Sequence, residues 1–565
     1  MTSHDLIAAF DAVAEAPDGI ARLRELVLRL AVRGRLVPQD PGDEPASMLL
    51  ERIAVEKVRM VRDGEIREPT RRSPTSMSNV PFDVPKGWEW VPLGQYCHVE
   101  MGQSPPSADY NTRGKGLPFF QGKADFGATY PTSRYWCTRP TKLARPGDVL
   151  LSVRAPVGPT NIAHVECCIG RGLAALRPLA SAPTRFLLWM VRAFSADLEA
   201  LGTGTTFAAI SRGNIDPFLV PVPPLAEQHR IVARIDELMG LLDQLEAARR
   251  SRDDTRAAVR DSALDALREA DTPDEVDVAW TRFAERMDDL LCDPADIAPL
   301  RQTVLELAVR GKLVPQDPTE EPASALLERI AAEKARLVRA GKAPHPSDLP
   351  PQSAGRGDLS LPQGWRLSSL SDVIIGTDAG WSPKCDPNPT TATTKWGVLK
   401  TTAIQPNRYL EQHHKTLPGS LTPRPELEVA EGDVLVTRAG PWFRVGVAAC
   451  VASTRPKLLL SDKIIRCRLV PHGVDGAWVA LCINTGPGAR YLLEQQSGMD
   501  KAQMNISQPR LRSAPIPVPP LAEQRRIVAR VDELMGLLDR LGERIGAART
   551  VHLAFAAAAV HHLDA

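Results

Sequence analysis

The 565-residue sequence lacks the features that mark a membrane, secreted or fibrous protein. It has no stretch of 18 apolar residues without charge, which excludes a membrane-spanning helix. Its nine cysteines include no C-x-x-C pair, so they indicate reduced thiols rather than a disulfide framework. Acidic side chains interrupt the first thirty residues and no basic segment precedes an apolar core there, so we expect no secretory signal. With 43% apolar residues the chain has enough to bury, and we expect a globular, cytoplasmic protein.

Catalytic signatures are also missing. The sequence has no G-x-x-x-x-G-K-[ST] phosphate loop and no H-E-x-x-H or paired Cys/His metal spacing. The pair His413 and His414 near Cys385 is more typical of a solvated loop than of a ligand set. The segment 386–389, D-P-N-P, lacks the aromatic residue that would stack on a flipped base in an amino-methyltransferase. We therefore expect a chain without catalytic residues, metal or cofactor of its own.

The most informative feature that is present is an internal duplication. Residues 23–62 match residues 300–339 at thirty of forty positions, at an offset of 277. Residues 223–245 match residues 519–541 at 20 of 23 positions, at an offset of 296. Self-similarity at a fixed offset marks repeated structural units, and a chain of this length is expected to form several domains. The sequence predicts a tandem duplication of helical segment, variable domain and helical segment.

The second repeated block predicts a long helix in each copy. Paired prolines at 223–224 and 519–520 suit a first helical turn, and no proline occurs between Leu225 and Asp271. We expect a helix of about 45 residues there, and a second long helix around 276–311 that could run back beside it. Apolar residues that step by four and three positions predict an antiparallel coiled-coil seam, with ordinary bundle helices as the alternative. This seam comprises Ile231, Ile235, Leu238, Leu242 and Leu245 in the first copy, and Ile527, Val531, Leu534, Leu538 and Leu541 in the second.

The two copies diverge in segments 85–222 and 362–519. These segments hold nine of the ten tryptophans and short β-like runs with turns, so we expect compact α/β domains with mixed or mainly antiparallel sheets. Basic residues exceed acidic ones by five in the first segment and by six in the second, whereas the rest of the chain is acidic. Such a surface suits phosphate neutralisation and base reading. For either segment alone, a mildly basic surface over a tryptophan core is an equal alternative, but two such domains favour DNA.

The duplicated motifs resemble those of the specificity subunit of type I restriction–modification systems. The resemblance is carried by P-P-L-A-E-Q-x-R-I-V-A-R at 223–234 and 519–530, and by G-D-V-L at 147–150 and 432–435. It extends to the I-S pairs that precede each proline-rich exit and to the A-V-R-G elements, and it covers nearly the whole chain. One A-V-R-G copy stands at 31–34, before the first variable domain. This departure predicts that the N-terminal helices pack beside the last helix, around 521–560.

The resemblance implies an α+β architecture in which long antiparallel helices separate and join two target-recognition domains. The expected divisions are a helical region with linker at 1–84, a target-recognition domain at 85–222, central helices with linker at 223–361, a second target-recognition domain at 362–519 and a last helix at 520–565. Each target-recognition domain would read one half of a bipartite, asymmetric double-stranded DNA site. The helices would set the gap and dock partners, which would be two methyltransferase subunits and restriction endonuclease–translocase subunits. Those partners, rather than this chain, would bind S-adenosylmethionine, ATP and Mg²⁺.

Polar residues in predicted loops and at strand ends are the candidates for DNA contact. Arginine suits bidentate contact with guanine, and asparagine or glutamine suits adenine. The candidates are Gln103, Ser104, Lys123, Arg134, Arg154, Thr205 and Arg212 in the first domain, and Lys384, Lys400, Arg438, Arg444, Lys501 and Asn505 in the second. For any one of them taken alone, a solvated surface residue is the favoured alternative. Trp88, Trp90 and Trp365 are expected to anchor the domain cores.

Three alternatives remain open from the sequence. The chain could be a restriction–modification enzyme whose catalytic motif is unrecognised, although neither an N-P-P-Y-type tetrapeptide nor a phosphate loop supports this. It could be a scaffold that tethers two protein-binding modules, which the basic charge of both variable domains disfavours. It could also serve a related system in which one partner chain carries both methylation and cleavage.

Overall fold

A computed structural model of the chain describes residues 13–66, 80–202, 209–342 and 361–564, without the side chains of Pro273 and of residues 560–564. The chain divides into two compact units, one formed by Met1–Arg252 with Arg549–Ala565 and the other by Asp253–Ala548. Each unit combines helices with a sheet-rich domain, so the α+β class predicted from the sequence is confirmed. None of the helices in the described ranges is long and apolar enough to span a membrane.

The first unit begins with two helices that precede its sheet-rich domain. Its elements before the first long helix are, in chain order, α1 (Gly19–Val32), α2 (Ala46–Arg62), β1 (Glu89–Pro92), α3 (Leu93–Tyr96), β2 (Cys97–Met101), β3 (Tyr110–Asn111), β4 (Leu117–Phe120), β5 (Tyr135–Cys137), β6 (Leu143–Ala144), β7 (Val149–Ser152), β8 (Thr160–Ile162), β9 (Cys167–Ile169), β10 (Leu173–Pro178), α4 (Thr184–Ala193), α5 (Ser195–Ala200), α6 (Arg212–Ile215) and β11 (Leu219–Val222). The strands form a four-stranded sheet in the order β2-β10-β7-β8, a five-stranded sheet in the order β3-β5-β4-β9-β6 and the two-stranded pair β1-β11. All pairs are antiparallel except β4 with β9, as expected for a mixed sheet.

The second unit repeats this plan with different additions. Its elements between the two long helices are α8 (Pro273–Ala284), α9 (Met287–Leu290), α10 (Ile297–Val309), α11 (Ala323–Arg339), β12 (Arg366–Ser369), α12 (Leu370–Val373), β13 (Ile374–Ala379), β14 (Gly397–Leu399), β15 (Ile404–Gln405), β16 (Arg408–Tyr409), β17 (His414–Thr416), β18 (Val434–Thr437), β19 (Ala439–Gly440), β20 (Ala448–Cys450), β21 (Leu458–Leu459), β22 (Ile464–Leu469), α13 (Gly476–Asn484), α14 (Gly486–Glu494), β23 (Ser497–Gly498), β24 (Met504–Asn505), α15 (Gln508–Arg512) and β25 (Pro515–Val518). Its four-stranded sheet, β13-β22-β18-β20, has the same order as the first, and β12 pairs with β25 as β1 pairs with β11. The duplication seen in the sequence is therefore a duplication of topology.

Two long helices follow the sheet-rich domains, as the proline-free stretches predict. Helix α7 runs over Leu225–Glu269 and helix α16 over Leu521–Asp564. Each begins directly after a proline pair, and each has a glutamate in its first turn, where the positive end of the helix dipole favours a carboxylate.

The prediction of one long helix around 276–311 is wrong. The structure divides this stretch into α8, α9 and α10, with a 3₁₀ turn at Pro294–Asp296. Pro294 has no backbone N–H to continue a helix, and the Asp293 side chain accepts a hydrogen bond from the N–H of Ala295 at 2.9 Å, which caps a new start. Thr272 and Glu275 form a capping box that starts α8 in the same way.

The buried residues of the predicted seam belong to two kinds of cluster. Ile231 and Ile235 pack into the core of the first sheet-rich domain, whereas Leu242 packs with Val13 and Leu23 of the N-terminal helices. In the second unit Ile527 and Val531 join the sheet-domain core, and Leu538 joins a cluster with residues of α8 and α10. Leu238, Leu245, Leu534 and Leu541 are partly exposed. The antiparallel coiled coil stays a prediction.

The N-terminal helix of the first unit also contacts the last helix, as the early A-V-R-G copy predicts. Ala556 of α16 is fully buried in the cluster that contains Val13, Ile20 and Leu23. The three candidate core tryptophans are buried as well, with Trp88, Trp90 and Trp365 each less than 7% exposed. Their assignment as core anchors is confirmed.

Candidate nucleic-acid interface

The duplicated residues build a clamp that fixes each sheet-rich domain to the start of its long helix. In the first unit the indole N–H of Trp88 donates to Oε2 of Glu227 at 2.9 Å, and Gln39 donates to Oε1 of the same carboxyl at 3.1 Å. Gln228 donates to the carbonyl of Pro223 at 3.0 Å and accepts from the Tyr96 hydroxyl at 2.8 Å. The glutamate and glutamine of P-P-L-A-E-Q are therefore buried structural residues rather than surface contacts.

The second clamp repeats the first with one hydrogen bond missing. Trp365 donates to Oε2 of Glu523 at 3.1 Å, but Gln316 points to the carbonyl of Gly311, 3.4 Å away. Within the described residues, Oε1 of Glu523 accepts no hydrogen bond, although this side chain is only 2% exposed. Burial raises the pKa of Glu523 to about 7, against the opposing effect of the Trp365 hydrogen bond. Burial also raises the pKa of Glu227, where Gln39 and Trp88 both oppose it.

The glycine of each A-V-R-G element is required by the same clamp. Gly34 has φ +68° and Gly311 has φ +70°, a backbone region that side chains rarely adopt. A Cβ on Gly34 would lie 2.4 Å from the ring of Pro85, and one on Gly311 would lie 2.6 Å from the ring of Pro362. The glycine of the A-V-R-G element therefore allows the backbone to pack closely against the proline and tryptophan at the start of each sheet-rich domain.

The G-D-V-L motif is likewise structural. Asp148 is buried before β7, where it forms a bidentate ion pair with Arg177 at 2.9 and 2.8 Å. Asp433 is buried before β18 and lies 3.6 Å from Arg466. Because these motifs hold the frame, the surface that differs between the copies must lie elsewhere.

One turn of the first domain brings several predicted contact residues together. This β9–β10 turn consists of Gly170, Arg171 and Gly172. The N–H of Gln103 donates to the Ile169 carbonyl at 3.0 Å, and the hydroxyl of Ser104 accepts from the N–H of Arg171 at 3.2 Å. The Gly172 carbonyl accepts from the N–H of Val153 at 2.9 Å, which places Arg154 next to the turn.

The glycines of the β9–β10 turn allow this close assembly. A Cβ on Gly172 would lie 2.2 Å from the carbonyl oxygen of Gln121, two residues before Lys123. Four of the predicted residues, Gln103, Ser104, Lys123 and Arg154, therefore belong to segments that meet at one turn, and all four are exposed. Arg171 is exposed there too and was missed by the sequence analysis. Within the described residues, its guanidinium makes no hydrogen bond or ion pair.

The second domain has the same turn with different side chains. This β21–β22 turn consists of Ser461, Asp462 and Lys463. The N–H of Asp462 donates to the hydroxyl of Ser382 at 3.2 Å, as that of Arg171 does to Ser104, and the Lys463 carbonyl accepts from the N–H of Arg438 at 2.8 Å. The backbone scheme is thus retained while the central residue changes from a cation to an anion.

The remaining candidates in the second domain divide between surface and interior. Lys384, Lys501 and Asn505 are exposed, and Arg438 is half-buried beside the β21–β22 turn. The ammonium of Lys400 donates to the Pro387 carbonyl at 3.0 Å. Arg444 donates to Gln405 and to the carbonyls of Thr401 and Ile404, between 2.6 and 3.0 Å, and its contact with DNA stays a prediction.

Two arginines of the first domain are also bound within the protein. Arg134 donates to the buried carboxyl of Asp125 at 2.7 and 3.1 Å, while its own side chain is 54% exposed, so its contact with DNA stays a prediction. Arg212 donates to Asp216 at 3.1 Å one helical turn away. Thr205 lies outside the described residues. No group of three or more potential metal ligands occurs among the side chains that the structure describes.

The fold and the two turns define a duplicated binding subunit, in which one frame presents two different polar surfaces. Comparison with known proteins gives this class a family. Residues 85–252 match the Type I restriction modification DNA specificity domain. The chain is 38% identical to the EcoEI type I restriction enzyme specificity subunit of Escherichia coli over 548 residues, which covers 95% of this chain and 92% of that protein. The EcoAI specificity subunit of the same organism is 29% identical over 561 residues, with the same coverage.

Among solved structures, the HsdS subunit from Thermoanaerobacter tengcongensis is 44% identical over 36% of this chain and 50% of that one, with a TM-score of 0.28. The full-length sequence identity carries the assignment: the chain belongs to the family of type I restriction enzyme specificity subunits.

Proposed function

We propose that each sheet-rich domain reads one half of a bipartite, asymmetric DNA sequence. The observation that carries this proposal is the pair of turns described above, where the same backbone hydrogen bonds present Arg171 in one domain and Asp462 with Lys463 in the other. A shared frame with exchanged donors and acceptors is what two different base sequences require, because bases are distinguished by their pattern of hydrogen-bonding groups.

The exposed side chains around each turn match the chemistry of base edges. The exposed guanidinium of Arg171, which has no partner within the described residues, suits bidentate donation to guanine O6 and N7. Asp462 would accept from the amino group of cytosine, while Lys463 and Arg154 would meet phosphates in their own domains. The net basic charge of both domains would supply the sequence-independent part of the affinity.

The long helices would then set the gap between half-sites and dock the catalytic partners. We propose two methyltransferase subunits and, in the full complex, restriction endonuclease–translocase subunits, all acting on DNA in the cytoplasm. In this arrangement the chain itself is not an enzyme. The partner subunits bind S-adenosylmethionine, ATP and Mg²⁺.

A base-resolution methylome of the host, with the gene intact and deleted, tests this function. We expect deletion to abolish one adenine-methylated motif made of two short blocks around a fixed gap. Exchanging residues 85–222 should change one block only, and lengthening α7 should change the gap. An unchanged methylome, with the methyltransferase expressed, would contradict the proposal and favour a scaffold that tethers proteins.

Single substitutions localise the reading surface within that experiment. Arg171→Ala should relax the sequence requirement in one block of the methylated motif and leave the requirement in the other block unchanged. Arg62→Ala is the matched control, because Arg62 is an exposed arginine on α2, outside the two long helices. Relaxation of both blocks, or of neither, would contradict the assignment of the β9–β10 turn to one half-site.

A further inference from the structure

The second domain carries an aromatic loop that the first domain lacks. In the first domain five residues, 153–157, separate Ser152 from Gly158, and the Gly158 N–H donates to the Ser152 carbonyl at 3.1 Å. In the second domain eight residues, 438–445, separate Thr437 from Gly446, and the same hydrogen bond closes the loop at 2.8 Å. Three additional residues are therefore inserted at an equivalent point of the frame. The longer loop includes Trp442 and Phe443.

Both aromatic side chains of this loop are exposed. Trp442 is 44% exposed and Phe443 is 62% exposed, and their ring centroids lie 6.1 Å apart in an edge-to-face arrangement. Adjacent large apolar side chains in water are unfavourable, and such patches commonly mark binding sites. Met499, on the neighbouring segment, is 95% exposed and enlarges the apolar surface.

The aromatic loop is held rigidly. The Arg444 side chain anchors the loop by its three hydrogen bonds to Gln405, Thr401 and Ile404. The backbone N–H of Trp442 donates to the Lys501 carbonyl at 2.8 Å. Gln496 donates to the carbonyls of Trp442 and Val445 at 3.0 and 3.1 Å. A backbone fixed in this way reduces the conformational entropy that the loop loses on binding.

The surroundings of the loop favour a polyanionic ligand. Segments 438–446 and 495–512 carry five basic residues and a single acidic one, Asp500. Within the described residues, the ammonium of Lys501 makes no hydrogen bond or ion pair. The loop is also continuous with the β21–β22 turn, because Arg438 donates to the Lys463 carbonyl and Ala439 pairs with Asn505.

We propose that Trp442 and Phe443 pack against bases of the half-site read by the second domain, while Lys501 contacts the adjacent phosphate. This inference rests on the proposed DNA reading and deepens it. Aromatic and other apolar side chains contact thymine methyl groups or enter partly unstacked base steps. The first domain, whose loop is three residues shorter, reads its half-site without such a contact.

The test measures binding of the full chain, in complex with its methyltransferase, to duplexes that carry the motif found in the methylome and to scrambled duplexes. Replacing both aromatics by alanine should weaken binding to the motif about ten- to one-hundred-fold. The scrambled affinity and the salt slope should not change, since no phosphate contact is lost. Lys501→Ala should weaken both affinities alike and reduce the salt slope by about one. Trp280→Ala, at an exposed tryptophan of α8, is the matched control.

Fluorescence of 2-aminopurine, placed in turn at each position of the second block, identifies the bases that are contacted. We expect a signal change on binding that the double variant abolishes, while probes in the first block respond as before. Unchanged affinity for the motif in the double variant would overturn the inference and leave the proposed function intact. Loss of the methyltransferase subunit from the complex, with DNA binding retained, would overturn it in favour of a protein-docking surface. Absence of motif-specific binding by the unmodified complex would overturn the proposed function itself.

Discussion

The two sheet-rich domains agree where they join the helices and differ where strands end in turns. At the joint, Trp88 with Glu227 and Trp365 with Glu523 make the same buried hydrogen bond. At the turns, Gly170-Arg171-Gly172 is replaced by Ser461-Asp462-Lys463 on the same hydrogen-bonding scheme. The buried side chains of the joint are therefore the same in both copies, whereas the central residue of the turn differs on one shared hydrogen-bonding scheme.

This contrast also separates residues by their role. Arg134 and Arg444 are arginines of variable domains, yet both donate hydrogen bonds within the protein. Arg134 binds the buried Asp125 carboxyl and Arg444 binds the Ile404 carbonyl, so both stabilise loops. Arg171 stands on a backbone scheme that both copies share, and its side chain makes no hydrogen bond or ion pair within the described residues. The structure thus indicates that the joint and the turns can be altered separately.

The largest effect is expected at the joint. Trp88→Ala and Trp365→Ala should each destabilise their own unit by about 3–5 kcal/mol, because each removes a fully packed indole. Hydrogen exchange of peptides from each unit measures the two effects separately. Trp280→Ala is the control and should cost far less, since this side chain is 38% exposed. A strong effect in one unit and none in the other would break the equivalence of the two clamps.

A smaller loss is expected from the A-V-R-G glycine. Gly34→Ala should destabilise the first unit by about 2–3 kcal/mol, because it combines a left-handed backbone with a Cβ that would meet Pro85 at 2.4 Å. Gly64→Ala is matched in backbone angle, with φ +71°, but has nothing within 4 Å, and should cost about 1 kcal/mol. Denaturant midpoints compare the two variants. Equal losses of stability in the two variants would show that backbone strain alone, without the contact to Pro85, accounts for the requirement for glycine at position 34.

A third prediction gives the first turn the central residue type of the second. Arg171→Asp should lower affinity for the motif by about 1–3 kcal/mol and leave thermal stability within about 0.5 kcal/mol of the original, since the side chain is exposed and unpaired within the described residues. Competition binding with duplexes altered in one block or the other measures the change. Loss of folding on this substitution would contradict the separation of turn and frame.

A last prediction concerns pH and distinguishes the two clamps. Glu523 has a pKa of about 7 when folded against an ordinary value of 4.5, so the folded state binds the additional proton between these values. The unfolding free energy of the second unit should therefore fall as pH rises from about 4.5 to 7, and Glu523→Gln should remove that decline. Glu227→Gln should have a smaller effect, because Gln39 provides a second donor there. Denaturant midpoints at pH 5 and pH 8 provide the measurement, and an unchanged slope in Glu523→Gln would contradict it.

The repeats made much of the frame predictable, because identical segments fold alike and proline-free stretches with apolar steps of four and three form long helices. The break at Pro294 was overlooked, although Asp293-Pro294 is a recognisable helix start. The differing hydrogen bonds of Gln39 and Gln316 were not predictable, since the two glutamines occupy the same position in matching segments.

The candidate surface was predictable only in part. Gln103, Ser104, Lys123 and Arg154 were selected as polar loop residues, and the structure brings their segments to one turn. Arg171 was missed because its neighbour Ser104 is 67 positions away in sequence, so no local pattern links them. The DNA-contact assignments of Arg134 and Arg444 stay predictions, and the sequence could not show that each also binds an acceptor within its own domain.

The paired first and last strands of each domain have a genetic consequence. Strand β1 pairs with β11 and β12 with β25, so each domain leaves its frame within a few ångströms of where it enters. The residues that receive these strands lie in the blocks that the two copies share almost letter for letter. Genetic recombination within those blocks would therefore replace one sheet-rich domain by another and keep the residues of the joint. Under the proposed function, such an exchange would change the half-site that one domain reads and leave the other half-site unchanged.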